Sequence, residues 1–299
     1  CFCARRITSR EKCFYPGFAP RTGSGFAIPD SNDIISDLDA QPFPDWDLID
    51  FDCYARFPQM SGYISSRRYM TLFTSRACPY NCINCHSIFG KKVRMRSPDN
   101  VVKEIETLKY KHNVEEFQIV DDIFNFNKNR VLEICRLIEK KNLDIRLSFP
   151  NGLRGDLLDE DTILALKRAG AYSITVAFET ASERLQKLIQ KNIDIERVCD
   201  AVRISARNGL LTRAFFMLGF PTETLEELMS TIRLSLKLPL HAVSYFVVIP
   251  FKGTVLYDMA LADVGEKIAI LKHQDYLTQD AYYTLSTGLD VRRIQRIAY

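Results

Sequence analysis

Six short apolar, β-branched or aromatic runs alternate with helical patterns from about residue 69 onward, and this alternation restricts the fold more than any other feature of the chain. The strand-like runs are 70–75 "MTLFTS", 116–120 "EFQIV", 144–149 "DIRLSF", 172–178 "YSITVAF", 212–218 "TRAFFML" and 243–249 "VSYFVVI". Between them, 98–112, 127–141, 159–169, 182–207 and 223–237 carry apolar residues at three- and four-residue spacing, as in Val131, Leu132, Cys135 and Ile138. The stretch 182–207 is long enough for two helices. Ser97-Pro98, Asp159, and Thr222 with Glu223 read as helix starts, and Gly170 and Gly209 as stops. Repeated β/α units imply parallel strands joined by right-handed crossovers. The sheet is then a doubly wound layer or a full or partial barrel.

The rest of the chain reads differently. Residues 1–68 are irregular, with several Pro and Gly residues, acidic clusters and the single Trp46, and they predict a linker or lead-in. The Pro42, Pro44, Trp46 and Leu48 stretch is suited to docking on a neighbouring surface. Residues 261–299 predict a helical extension that stops in mid-pattern at Tyr299, and the chain opens without Met. Both features predict a longer parent protein.

The charge balance is close to even, with 40 basic and 37 acidic residues and a net charge of +3. No basic footprint for nucleic acid or a membrane surface follows from it. No apolar run of about 18 residues predicts a membrane span, and "CFCARRITSR" lacks the apolar core of a signal peptide. Nine cysteines, an odd number in a long chain without a secretory signal, predict reduced thiols and a cytoplasmic location.

Three of those cysteines stand apart. "TSRACPYNCINCHS" places Cys78, Cys82 and Cys85 at C-x3-C-x2-C, in the loop after the first strand-like run. Clustered thiolates bind zinc or iron–sulfur clusters. A closed zinc site wants four donors, and no distant C-x-x-C pair follows. His86 is a candidate fourth donor, but its adjacency to Cys85 makes it hard for both to reach one ion. Three thiolates on a four-iron cluster instead leave one iron open to a small molecule. Cys135 and Cys199 sit among aliphatics, as core residues do.

Polar residues recur where the other strands end, as expected for a ligand site at the carboxyl mouth of a parallel sheet. These are Asp121 and Asp122, Asn151 and Arg154, Glu179 and Thr180, then Gly219, Pro221 and Glu223, and finally Pro250 with Lys252. Local roles compete with ligand binding at several of them. Asp121 and Asp122 suit the cap of the following helix, Arg154 suits a pair with Asp156, and Lys187 and Lys191 suit a solvated helix face. Tyr80 and Phe89 are the aromatics nearest the thiols.

A C-x3-C-x2-C loop inside a β/α repeat resembles the radical S-adenosylmethionine (SAM) superfamily, over roughly residues 69–260. Further segments resemble its cobalamin-dependent methyltransferase- and cyclase-type members: "VDDIFNFNKNR" at 120–130, "AFETASERLQKLIQKNID" at 177–194, "GFPTETLEEL" at 219–228 and "IPFKGTVLYDMA" at 249–260. "LDAQPFPDWDLID" at 38–50 resembles the linker that follows a cobalamin-binding domain there. The resemblance implies an α/β fold, a partial (β/α)6 barrel of the TIM type. It implies a [4Fe-4S] cluster on Cys78, Cys82 and Cys85, whose open iron chelates SAM. One-electron cleavage then gives methionine and a 5'-deoxyadenosyl radical. It implies SAM contacts near Asp121, Asp122 and Glu179, with Arg213, Gly219 and Pro250 as looser candidates. It also implies a small-molecule substrate, a reductant such as flavodoxin or ferredoxin, and cobalamin. Two departures stand out. Asn84 occupies a position before the third cysteine that is often aromatic in the family, and no D-x-H-x-x-G cobalamin pattern occurs anywhere in the chain.

Overall fold

The computed structural model describes residues 21–22, 25–26, 34–56, 65–264 and 288–299. Cys1, Cys3 and Cys13, and the expected helical pattern over 265–287, lie outside the described residues. The chain runs β1 (Tyr69–Leu72), α1 (Pro98–His112), β2 (Glu116–Ile119), α2 (Lys128–Lys140), β3 (Arg146–Ser148), α3 (Glu160–Arg168), β4 (Ser173–Glu179), α4 (Glu183–Leu188), α5 (Ile195–Arg207), β5 (Leu211–Leu218), α6 (Leu225–Lys237), β6 (Ala242–Val247), α7 (Val255–Val264) and α8 (Val291–Ala298).

Strand order decides between the two sheet architectures left open by the alternation. β1, β2 and β3 pair in parallel, as do β4, β5 and β6. The two sets are joined at β3. Leu147 N donates to Gly170 O at 3.0 Å, Tyr172 N to Leu147 O at 3.2 Å, and Leu153 N to Thr175 O at 2.7 Å. The order is therefore sequential from β1 to β6. A doubly wound sheet reverses direction at a switch point, and this one does not. β1 and β6 are not paired with each other, so the architecture is a partial (β/α)6 barrel. At the free edge of β6, α8 supplies substitutes for a strand: Gln295 Nε2 donates to Tyr245 O at 2.6 Å, and Tyr299 Oη accepts from Tyr245 N at 3.0 Å.

Local chemistry sets the helix ends. Ser97 caps α1 by accepting from Asn100 N, and Pro98 takes the first turn, where no donor is needed. Asp159 caps α3. The 182–207 stretch divides into α4 and α5 where Gln190 and Asn192 adopt φ of +55° and +48°. α6 departs from expectation: its cap is Thr224, boxed with Glu227, and not Thr222 with Glu223. Gly170 ends α3 at φ +100°, where an added Cβ would lie 2.2 Å from Ile145 O, so only glycine fits this turn.

The β5 side chains alternate strictly. Thr212, Ala214, Phe216 and Leu218 are buried against the helices, while Leu211, Arg213, Phe215 and Met217 are half-buried on the opposite, inner face. The outer layer is aromatic. Phe178 stacks on Phe216 at 5.1 Å, and Phe216 meets Tyr245 at 5.9 Å. Each fully buried Phe contributes roughly 1.5–3 kcal/mol. At the opposite end of the barrel from the strand ends, Glu116 is fully buried and gathers Ser65 N, Ser66 N, Tyr172 Oη and Gln118 Nε2.

The described lead-in packs on α1. Trp46 Nε1 donates to Glu104 Oε1 at 3.0 Å, Phe51 stacks on His112 at 4.8 Å, and Arg68 pairs with Asp52 at 2.6 Å. Docking thus runs through Trp46, while Leu48 is 77% exposed.

Candidate active site

The cysteine loop leaves β1 and crosses the carboxyl ends of the strands, held at several points. Asp121, just past β2, accepts from Thr74 N, Thr74 Oγ1 and Ser75 Oγ, each at 2.6 Å. Burial pushes its carboxyl up, and these hydrogen bonds oppose the shift. Asp122 Oδ2 accepts at 3.0 Å from Ala77 N, whose residue stands at φ +77° immediately before Cys78. Neither aspartate caps α2, because Asn127 does. They aim the chain as it enters the thiol loop, and the Asp121 carboxylate is fully taken up in doing so.

Beyond Cys82 the loop is fastened by Ile83. Its N–H donates to Ile189 O at 3.0 Å, and its carbonyl accepts from Leu256 N at 2.9 Å. Its side chain is buried with Leu185, Ile189, Phe220, Val248 and Leu256, a small core separate from the main one. Asn84 Nδ2 reaches Met217 Sδ at 3.5 Å, so the loop also touches the inner face of β5.

Charged groups crowd the thiols. Lys191 Nζ pairs with Glu179 Oε1 at 2.5 Å, both side chains largely shielded. Arg154 stacks over Tyr80 at 3.7 Å, pairs with Asp156 at 3.0 Å, and donates to Lys191 O at 3.1 Å. Cys82 Sγ lies 3.9 Å from Gln190 O. The hydrogen bond between the Cys82 and Cys85 thiols lowers Cys82 to about 7. Lys191 and Arg154 assist, while burial opposes. The same bond, together with burial, pushes Cys85 up, and burial pushes Cys78 up. Burial also holds Cys135 at about 12 and Cys199 at about 11, as inert core thiols.

The donor set suits a cluster better than a single ion. Among the described residues no three His, Cys, Asp or Glu side chains converge as one metal ion requires, and His86 is exposed. Three thiols on one anchored loop, with cationic side chains beside them, fit an iron–sulfur cluster whose thiolates bind separate irons.

The remaining expected residues fall in two groups. Glu179 stands at the mouth at φ +63°, where a β-bulge re-aims its side chain. Gly219, at φ +94°, and buried Pro250 belong to the loops after β5 and β6. Arg213 lies lower, on the inner face of β5, where its Nη2 donates to Ser244 Oγ at 3.0 Å.

Sequence reasoning missed one participant and left a second between two roles. Lys191, expected on a solvated face, is turned inward by the left-handed residues that flank it. Glu223, read both as a polar residue at the end of β5 and as helix-start chemistry, is 1% exposed and accepts from Gly219 N and Phe220 N, holding the turn after β5. An acidic residue four positions after a glycine that ends a strand was the available signal.

Burial pushes the Glu223 carboxyl up to about 7, against the two backbone donors and Arg184. A raised acid binds its proton more tightly in the folded state. Its contribution is therefore complete below the usual glutamate range and is lost as pH rises through about 7. Glu223→Gln keeps an acceptor for both N–H groups and is expected to flatten this decline, which is on the order of 3 kcal/mol at most. Urea denaturation at pH 5 and pH 8 checks it: equal slopes in both proteins would refute the assignment.

Similarity to known proteins agrees with this geometry. An uncharacterized methyltransferase of Pyrococcus horikoshii is 31% identical over 89% of this chain and 56% of its own length. Cytidylyl-2-hydroxyethylphosphonate methyltransferase of Streptomyces wedmorensis is 28% identical over 75% of this chain and 43% of its own. The chain thus spans about half the length of these relatives. In fold, it is similar to the radical SAM methyltransferase TsrM from Kitasatospora setae, solved with cobalamin and a [4Fe-4S] cluster. The TM-score is 0.55 at 20% identity, covering 59% of this chain and 36% of that one. Residues 72–235, from the end of β1 to within α6, match the radical SAM family model, and the chain belongs to the radical SAM superfamily.

Proposed function

We propose that this chain forms the catalytic core of a cobalamin-dependent radical SAM methyltransferase. The observation that carries the proposal is the anchored three-thiol loop over the carboxyl mouth of six parallel strands, with Lys191, Arg154 and Glu179 around it. Cys78, Cys82 and Cys85 would hold a [4Fe-4S] cluster, which supplies the electron that cleaves SAM to methionine and a 5'-deoxyadenosyl radical. The chain's own contribution is placement and electrostatics. Lys191 and Arg154 favour the thiolate form of Cys82. Asp122 and Ile83 fix the two ends of the ligand segment. The Glu179 carboxylate, shielded and paired with Lys191 at the mouth, would meet the polar edge of SAM. Among the described residues no helix is long and apolar enough to cross a membrane. Reduced thiols suit a cytoplasmic protein supplied with electrons by a flavodoxin or ferredoxin.

Methyl transfer is carried over from the methyltransferases among its relatives, and cobalamin from TsrM. The chain lacks D-x-H-x-x-G, so cobalamin would be held by a further domain or partner. The test is anaerobic reconstitution with iron and sulfide, reduction with dithionite, and assay of 5'-deoxyadenosine from SAM. EPR of the reduced cluster is recorded with and without SAM. Product, and a SAM-shifted signal, are expected. A reducible cluster indifferent to SAM would replace the proposal with an electron carrier. Cobalamin binding by a version extended upstream tests the methyltransferase class, and its failure would leave a cobalamin-independent enzyme.

A further inference from the structure

Among the described residues, the inner face of β5 and β6 is incompletely covered. Arg213, Phe215, Met217, Ser244 and Phe246 are all half-buried there, whereas the inner residues Gln118 and Ser148 on β2 and β3 are sealed. Among the described residues Arg213 is the only cation on this face. Its guanidinium sits 5.0 Å from the Phe215 ring centroid and makes one side-chain hydrogen bond, from Nη2 to Ser244 Oγ at 3.0 Å. Its Nε is buried and has no acceptor among the described residues. No described carboxylate pairs with it. Phe215 and Phe246 meet edge-to-face at 5.5 Å and 75°, giving an apolar wall next to the charge. A guanidinium offers five donors in a fork that matches an oxyanion, and withdrawing one from water without a partner is costly.

From this arrangement we infer that Arg213 and Ser244 form the anion-binding end of the substrate site. The inference rests on the proposed function. The substrate is an elongated small molecule with a carboxylate or phospho-type terminus beside an apolar or aromatic body. The terminus docks on the Arg213 fork, and the body lies along Phe215 and Phe246. SAM also carries a carboxylate, and the SAM response of the Arg213 variants separates the two sources. Met217 touches the cysteine loop through Asn84, and Arg213 lies four residues below it on the same strand. At about 3.3 Å per residue the two backbones are roughly 13 Å apart, and the guanidinium reaches up to Ser244, which is in register with Phe215, roughly 7 Å below Met217. The substrate's other end, rising toward the loop, is then the part presented to the chemistry.

The test compares 4-phenylbutyrate and phenylphosphonate with neutral 4-phenylbutanamide. Binding to the cluster-loaded protein is measured by saturation-transfer NMR and calorimetry, for wild type, Arg213→Lys and Arg213→Gln. Wild type is expected to prefer the anions by about tenfold or more. Arg213→Lys should keep part of the preference and Arg213→Gln none, while SAM still shifts the EPR signal of both. Equal binding of anion and amide by wild type would overturn the inference without relying on any variant. So would Arg213→Gln that loses the SAM response but keeps the anion preference. Failure to form 5'-deoxyadenosine with the anion preference intact would count against the proposed function and not against this subsite.

Discussion

Cys85→Ala, reconstituted anaerobically, is expected to hold no stable four-iron cluster and to release no 5'-deoxyadenosine, a complete loss. The loop supplies three thiols and no reserve. Among the described residues no group of three or more His, Cys, Asp or Glu side chains is assembled elsewhere or here around a single ion, so nothing replaces a lost thiol. His86 is adjacent to the lost ligand, and a neighbour in sequence cannot take over the position of the Cys85 thiol without moving the loop. Iron and sulfide content per chain is the measurement. Cys53→Ala, on the exposed one-turn helix Phe51–Tyr54, is the control and should load fully. Full four-iron loading of Cys85→Ala would end the ligand assignment, and with it the reading of the mouth as the SAM site.

Glu116→Ala should produce the largest loss of stability, about 3–5 kcal/mol. The carboxylate is fully buried at the lower end of the barrel. Oε2 accepts from Ser65 N at 3.0 Å and Ser66 N at 2.9 Å, and Oε1 from Tyr172 Oη at 2.8 Å and Gln118 Nε2 at 3.1 Å. These partners come from the segment entering β1, from β2 itself, and from the residue before β4. One side chain therefore ties three parts of the barrel together, and truncation leaves donors from all three facing a void. A melting temperature lower by roughly 10 °C is expected. Glu116→Gln, which keeps one acceptor oxygen but turns the other into a donor facing N–H groups, should cost less. A change within 1 kcal/mol on Glu116→Ala would show that water or neighbouring groups satisfy these donors unaided.

The contrast between β1 and β5 shows which parts of the fold were legible. The β5 run was expected at 212–218 and spans Leu211–Leu218, because its alternation is unbroken. The β1 run was expected through residue 75 but stops at Leu72. There Asp121 binds Thr74 and Ser75 and redirects the chain into a short antiparallel pair, Ser75–Arg76 with Arg94–Met95. Nothing within a few residues of Thr74 announces that carboxylate. α1 begins and ends where Ser97-Pro98 and Asn113 place it, since a cap is a local hydrogen bond. α6 was misplaced by one capping register, because the Thr222–Thr224 segment offers two candidate caps. Only the turn shows that Glu223 faces inward to Gly219 and leaves Thr224 to start the helix.

The site divides in the same way. Cys78, Cys82 and Cys85 are recognisable by spacing alone, and so is the number of β/α units that carries them to the mouth of a parallel sheet. Their surroundings were decided by the tertiary structure. Lys191 lies on a stretch whose periodicity reads as solvated, until φ reverses on either side of it and brings its amine to Glu179. Arg154 meets Tyr80, and Asn84 meets Met217, only because the strands curve and the loop is pulled across them by Ile83. Arg213 reads as a SAM contact in the sequence, and the fold sets its guanidinium on the inner face of β5 beside Ser244. Local sequence encodes hydrogen bonds, caps and periodicity within about one helical turn. The charges that face the thiols and the open inner face were set by side chains distant in sequence, which share a surface only once the barrel has bent.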